Sequence, residues 1–153
     1  MNRRPTHVIF LAIISLAATL QAQSSRVPLG LDHEGLHVHD LARSADFYEH
    51  VIGLTRMPDP FKTGRIVWFR VGEHGQLHLI GGAAANSCQD KGVHLALRVG
   101  SVEDFASHLD EMHVKYEDTD GIAHSIKARP DAVKQIYLQD PEGYWIEIND
   151  NKF

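Results

Sequence analysis

Tyr137-Leu138-Gln139-Asp140-Pro141-Glu142-Gly143-Tyr144-Trp145-Ile146-Glu147-Ile148-Asn149-Asp150 decides the reading of the chain. Asp140-Pro141-Glu142-Gly143 is a turn signal, because proline presets φ at the second turn position and glycine accepts φ > 0 later in the turn. Apolar and aromatic runs flank it on both sides, which predicts a strand, a tight connection and a second strand. After the turn the residues alternate. Tyr144, Ile146 and Ile148 share one face, and Trp145, Glu147 and Asn149 share the other. A carboxylate at the centre of such a strand needs solvent, a partner or a function.

The chain has 153 residues, of which 43% are hydrophobic and 23% charged, enough for one domain with a real core. Its first 22 residues differ in kind. Arg3 and Arg4 precede an apolar run from Val8 to Leu20, and small and polar residues follow, the order of a secretory signal peptide cut after Ala22. The run is too short to span a bilayer, so no stable membrane anchor is expected after cleavage. Export to a periplasm or the medium is expected. The formal charge of −5 becomes −7 once the two arginines leave, which disfavours a nucleic-acid partner. The single Cys88 excludes an intramolecular disulfide. Eleven histidines is a high count, and the grouping of His33, His37 and His39, of His74 and His78, and of His94 points to metal.

In chain order, Ser24 to Asp32 reads as an extended leader. His33 to His39 alternates, with Leu36 and Val38 on one face and His33, Gly35, His37 and His39 on the other. Ser44 is the expected N-cap of a helix carrying Phe47, Tyr48, Val51 and Ile52, ended by Gly53. A short strand near Leu54 to Met57 and a hairpin of Ile66 to Val71 and Gln76 to Ile80 follow. Gly81 to Ser87 is the most linker-like stretch. Beyond it come a strand through Val93 to Val99, a helix capped by Ser101, a short strand at Val114 to Glu117, a long loop from Asp118 to Pro130, and a strand from Val133 to Gln139.

The chain also repeats itself. A shift of 61 residues lays His33 on His94, Leu36 on Leu97, Val38 on Val99 and Asp40 on Ser101, and a shift of 69 lays His78 on Glu147. The expected fold is therefore α+β, with two βαβββ modules, about 31–82 and about 91–150, in a single domain of residues 23–153. The helices cover the apolar faces of mostly antiparallel sheets, and the opposite faces enclose a cavity lined by His33, His37, His39, His78, His94, Arg98, Trp145, Glu147 and Asn149. Buried polar groups of this kind must be satisfied by a ligand, water or an ion. Nitrogen and carboxylate donors suit iron, zinc, manganese, nickel or cobalt. His37 and His39 compete with His33 as donors, and the overlay on His94 selects His33.

With these residues in place the chain resembles the vicinal oxygen chelate superfamily, which includes glyoxalases, bleomycin-resistance proteins and extradiol dioxygenases. The resemblance runs from Leu31 to Asn149. It is carried by His33 seven residues before Asp40-Leu41-Ala42-Arg43-Ser44, by Phe47-Tyr48 and Gly53-Leu54, by Leu77-His78-Leu79, by Val93-His94-Leu95-Ala96-Leu97, and by Asp140-Pro141-Glu142-Gly143 with Glu147. It implies a divalent metal held by His33, His78, His94 and Glu147, and a small-molecule substrate.

Within that resemblance the leading expectation is a metal-dependent lyase or isomerase of glyoxalase type, with Glu147 as metal ligand and proton-moving base. Two departures bear on it. His78 stands where many glyoxalases carry a carboxylate, and His37 stands where glutathione-using members carry an arginine. The alternatives are an extradiol-type Fe(II) dioxygenase, which would use His33, His94, Glu147 and Tyr137, and a non-catalytic binding or resistance protein. His37, Arg98 and Arg129 are the candidates for contact with substrate. A homodimer is expected, with the modules pairing within or between chains.

Overall fold

Alternating strands whose odd and even residues differ in polarity pack one face inward and leave the other for chemistry, and this chain does so twice. The computed structural model describes residues 29–85 and 90–152. The segment expected to direct export, most of the leader, Cys88 and the end of the linker lie outside the described residues.

The first sheet holds β1 (His33–Val38), β2 (Thr55–Met57), β3 (Ile66–Val71) and β4 (Gly75–Gly81) in the order β1-β4-β3-β2. The second holds β5 (His94–Arg98), β6 (Lys127–Ala128), β7 (Lys134–Gln139) and β8 (Trp145–Asn149) in the order β5-β8-β7-β6. In each sheet the first and last strands are parallel and the other pairs are antiparallel. Each sheet carries one helix between its first two strands, α1 (Leu41–Asp46) and α2 (Val102–Glu111). This is the expected pair of βαβββ modules, and Leu31–Phe153 forms one compact unit. One contiguous core takes the inward faces of both sheets, including Leu36, Val38, Phe69, Leu77 and Leu79 of the first and Leu97, Ile136, Leu138, Ile146 and Ile148 of the second.

The repeat extends to the register. Gly35 of β1 lies opposite His78 of β4, and Ala96 of β5 lies opposite Glu147 of β8. These rungs are related by the same shifts of 61 and 69 that align the sequence. The helix starts are equivalent too, since Asp40 accepts from the Arg43 N–H at 3.0 Å and Ser101 accepts from the Asp104 N–H at 3.1 Å. Each satisfies an amide that the first helical turn leaves open.

Three expectations are corrected. The cap of the first helix is Asp40 and not Ser44, which is fully buried with its hydroxyl unpartnered among the described residues. The helix begins one turn earlier because the Asp40 carboxylate reaches the third amide beyond it. It also continues into a π-helical turn, Phe47–Val51, where wider winding turns Tyr48 into the core and the Val51 carbonyl toward the His108 ring of α2 at 3.0 Å. Gly53, at φ 82°, then ends it. Val114 to Glu117 is not a strand, as only Glu117 makes bridges, to Ala123 and Tyr137. The loop after it contains β6 and is folded about Asp118, whose carboxylate accepts from the amides of Asp120 and Ile122 at 2.9 and 3.0 Å.

The Asp140 turn does more than reverse the chain. Asp140 Oδ1 accepts from the amides of Glu142 and Tyr144 at 2.9 and 2.8 Å, and its Oδ2 accepts from the Tyr48 hydroxyl at 3.1 Å. Glu142 reaches the corner between β1 and α1, where its two oxygens accept from the amides of His39 and Asp40 at 3.0 and 2.9 Å. The Tyr144 hydroxyl donates to the His37 carbonyl at 2.8 Å. Four side chains therefore clasp the last hairpin of module two to the first corner of module one. Burial raises the Asp140 carboxyl above its usual range, and the hydrogen bonds it accepts pull against that shift.

Candidate functional site

On the outward face of the first sheet, β4 brings His78 between two rings. His78 is 8% exposed, stacks on Trp68 at 3.8 Å and 25°, and stacks on His33 at 4.3 Å and 16°. The arrangement follows from the strand pattern. Trp68 is the antiparallel neighbour of His78 on β3, and Gly35, the parallel neighbour of His78 on β1, places no side chain beside it. His33 Nδ1 lies 2.7 Å from Asp32 Oδ2, an acceptor, which orients the ring with Nε2 directed away from that carboxylate. Burial, and then the neighbouring His33, lower the pKa of His78, while Asp32 opposes the shift. A neutral imidazole is the ligand-competent form.

On the equivalent face of the second sheet, β8 buries Glu147 to 6% exposure. Its Oε2 accepts from the Tyr137 hydroxyl at 2.5 Å, its Oε1 accepts from Asn149 Nδ2 at 2.7 Å, and His94 Nε2 stands 3.3 Å from Oε2. His94 Nδ1 lies 2.8 Å from the Lys91 carbonyl, which can only accept. Nδ1 therefore carries a proton, and a neutral His94 turns the lone pair of Nε2 toward a carboxylate oxygen. Two electron-pair donors facing each other at this distance call for a cation between or beside them, either a second proton on His94 or a metal ion. Burial, and then the bond to Glu147, push the Tyr137 hydroxyl well above its ordinary pKa, so it remains a donor.

His33 and His78 are thus brought together, and so are His94, Glu147 and Tyr137. The two groups do not merge: among the described residues, the one set of three ligand atoms within 4.8 Å of one another is Asp46, Glu49 and His50 on the helix surface. Arg56 already pairs with Asp46 at 3.7 Å and Glu49 at 2.6 Å there. A cavity of about 520 Å³ runs between the edge strands β1 and β5, with Gly35, Leu36, His94, Ala96, Tyr144 and Trp145 among its walls. Another of about 630 Å³ lies beside Tyr137 and Trp145. Neither is lined by His33 or His78.

The three residues expected to meet substrate are placed differently. His37 is exposed on the face of His33, opposite Ile80. Arg98 is exposed on the face of His94, opposite Asn149. Arg129 directs its guanidinium to Asp131, with bonds of 3.1 and 2.5 Å, so reaching a substrate requires breaking that pair. Sequence reasoning missed Trp68, although it precedes His78 by ten residues as Tyr137 precedes Glu147, and the shift of 69 relates the two. It also missed Lys91, whose ammonium pairs with Glu117 and sits 5.4 Å from the Tyr137 ring and 4.9 Å from the Trp145 ring.

Comparison with known proteins adds to this geometry. A family model described as the Glyoxalase/Bleomycin resistance protein/Dioxygenase superfamily matches residues 30–148. A crystal structure assigned to the glyoxalase family, from Bacillus anthracis, is 26% identical, with a TM-score of 0.68 over 83% of this chain and 98% of that one. The oxidase ChaP-H1 is 23% identical, with a TM-score of 0.67 over 82% of this chain and 98% of its own. Lactoylglutathione lyase from Agrobacterium tumefaciens is 19% identical, with a TM-score of 0.63 over 82% and 96%. At the last two identities the likeness speaks for the fold and leaves the activity to the site.

Proposed function

Because the chain belongs to the glyoxalase/bleomycin resistance protein/dioxygenase superfamily, we propose that it is a metal-dependent lyase or isomerase of glyoxalase type acting on a small molecule with adjacent oxygens. The observation that carries this reading is the His94–Glu147 pair, in which the Lys91 carbonyl engages Nδ1 and His94 Nε2 stands 3.3 Å from a buried carboxylate oxygen. The donors fit a divalent transition ion, namely iron, zinc, manganese, nickel or cobalt, with His33, His78, His94 and Glu147 as its ligands. Such an ion supplies Lewis acidity to substrate oxygens when bound. Glu147 is the base that accepts a proton from substrate carbon, and Tyr137 and Asn149 hold its two oxygens in place from opposite sides. Burial of Glu147 excludes water from that carboxylate.

The two donor pairs meet across a homodimer in this reading, the His33–His78 face of one protomer opposing the His94–Glu147 face of its partner. Residues 1–22 direct export, and the mature chain works in the periplasm or the medium. Among the described residues no helix is long and apolar enough to cross a membrane. A second reading, Fe(II)-dependent extradiol cleavage, is favoured by the Tyr137 hydroxyl bonded to Glu147 at 2.5 Å, since those enzymes place a tyrosine near the site.

The test is elemental analysis of untagged protein together with proton exchange. About one equivalent of a divalent ion per chain is expected, with less than about a tenth in His78→Ala or Glu147→Gln. Substrate C–H exchange into D₂O as fast in Glu147→Gln as in wild type removes Glu147 as the base, and catechol-dependent O₂ uptake without such exchange selects the dioxygenase.

A further inference from the structure

The outward face of the first sheet carries a column of rings that the metal ligands alone do not explain. His33 stacks on His78, His78 stacks on Trp68, and Trp68 meets Phe61 at 6.1 Å and 55°. The column ends in solvent, because Phe61 is 65% exposed. Phe61 is also not adrift. Its amide donates to Asp59 Oδ1 at 2.9 Å, in a connection between β2 and β3 stiffened by Pro58 and Pro60. Apolar neighbours widen the shelf, with Met57 on the rung of Trp68 and Ile66 opposite the exposed Ile80.

Trp68 offers one thing to this surface. Its indole N–H is buried and has no acceptor among the described residues. Buried indole N–H groups usually find one, so the residue contributes its flat face rather than a hydrogen bond. In module two the equivalent place is held by Tyr137, which gives a hydrogen bond to the ligand beside it. The two halves thus support their last-strand ligands by different means, and in module one aromatic faces lead outward from the ligand to an exposed ring.

We propose that the Phe61–Trp68 column is the recognition platform for a planar aryl group of the substrate, lying beside the His33–His78 end where the reacting oxygens are held. The location of the oxygens rests on the metal-dependent reading above, whereas the platform rests on the ring geometry alone. An aliphatic group of equal size gains from burial of area on this shelf. A planar conjugated group gains in addition from ring–ring contact with Phe61.

The discriminating pair of probes is mandelate and hexahydromandelate, which share the 2-hydroxy acid oxygens and differ in a phenyl against a cyclohexyl ring. Calorimetric titration of the full mature chain is expected to show mandelate binding about five- to tenfold more tightly. In Phe61→Leu, an exposed position where folding is not at stake, the preference falls to within about twofold, and the metal content stays at the wild-type value. Trp68→Leu is expected to lose the preference too, and because Trp68 stacks on His78 its metal content is not required to stay at the wild-type value. Equal affinities in wild type, a preference that survives Phe61→Leu, or no binding of either acid up to about 10 mM overturns the platform. So does a Phe61→Leu chain that changes oligomeric state while keeping its preference, since a second copy then covers that ring. A metal-free protein that retains a Phe61-dependent preference leaves the platform standing and removes the metal reading instead.

Discussion

The Tyr137 hydroxyl donates to Glu147 Oε2 at 2.5 Å across the β7–β8 pair, and both groups are buried. A short bond from a neutral donor holds the carboxylate in one rotamer without neutralising it. Tyr137→Phe keeps the ring and removes the bond. Metal affinity, measured by competition with a chelating dye, is expected to fall about 10- to 100-fold, the usual cost of losing a partner behind a ligand, and stability by about 1 kcal/mol as a buried acceptor loses one donor. Unchanged affinity removes Tyr137 from the support of the site.

Mixed dimers test how the two ligand pairs come together. His33→Ala and Glu147→Ala chains are each expected to lack metal alone. If the pairs meet between protomers, co-refolding the two variants restores one intact site in each heterodimer, and metal content recovers to about a quarter of an equivalent per chain when equal amounts pair at random. No recovery places both pairs of a site in one chain.

Asp140 gives a pH dependence whose sign follows from its environment. Its folded pKa is raised by burial, so the fold favours the protonated form, and its contribution to stability is fully present below the ordinary aspartate range and lost as pH rises through the folded value. Asp140→Asn removes that titration. The difference in melting temperature, variant minus wild type, is expected to become more positive between about pH 4 and pH 7. A difference that does not change with pH, or that shrinks, contradicts the assignment.

The start of the first helix separates two residues that the sequence makes look alike. Asp40→Ala removes a cap and is expected to cost about 1 kcal/mol in denaturant unfolding. Ser44→Ala removes a buried hydroxyl that has no partner among the described residues, and is expected to be neutral or slightly stabilising. The reverse order would restore Ser44 as the cap.

Glu142→Ala hands the amides of the exposed His39 and Asp40 to water and is expected to lower stability by about 1 kcal/mol, with metal content unchanged. Loss of metal at unchanged stability would make the clasp part of the site.

What the sequence made legible was whatever repeats at short range. Two-residue alternation put His33 and His94 on outward faces, and the 61- and 69-residue shifts placed His78 and Glu147 on equivalent rungs. The rest depends on distance or on local competition. Ser44 mimics a cap because its residue type is right, yet the neighbouring carboxylate of Asp40 wins the amide. The π-helical turn at Phe47–Val51 leaves no mark in an apolar stripe that an ordinary helix also satisfies. The bond from Glu142 to the His39 amide joins residues 103 apart, and no local pattern announces it. Trp68 was hidden by reading the repeat for ligands alone, when the same offset also pairs it with Tyr137.

The Glu142 clasp also sets an order of events. Module one receives two of the main-chain bonds at its helix start from Glu142, which lies 103 positions after His39, so that corner cannot close before the last hairpin of module two has been made. Long-range closure of this kind slows folding. The first corner of module one is therefore completed by the hairpin of module two, and neither half holds all of its own main-chain partners.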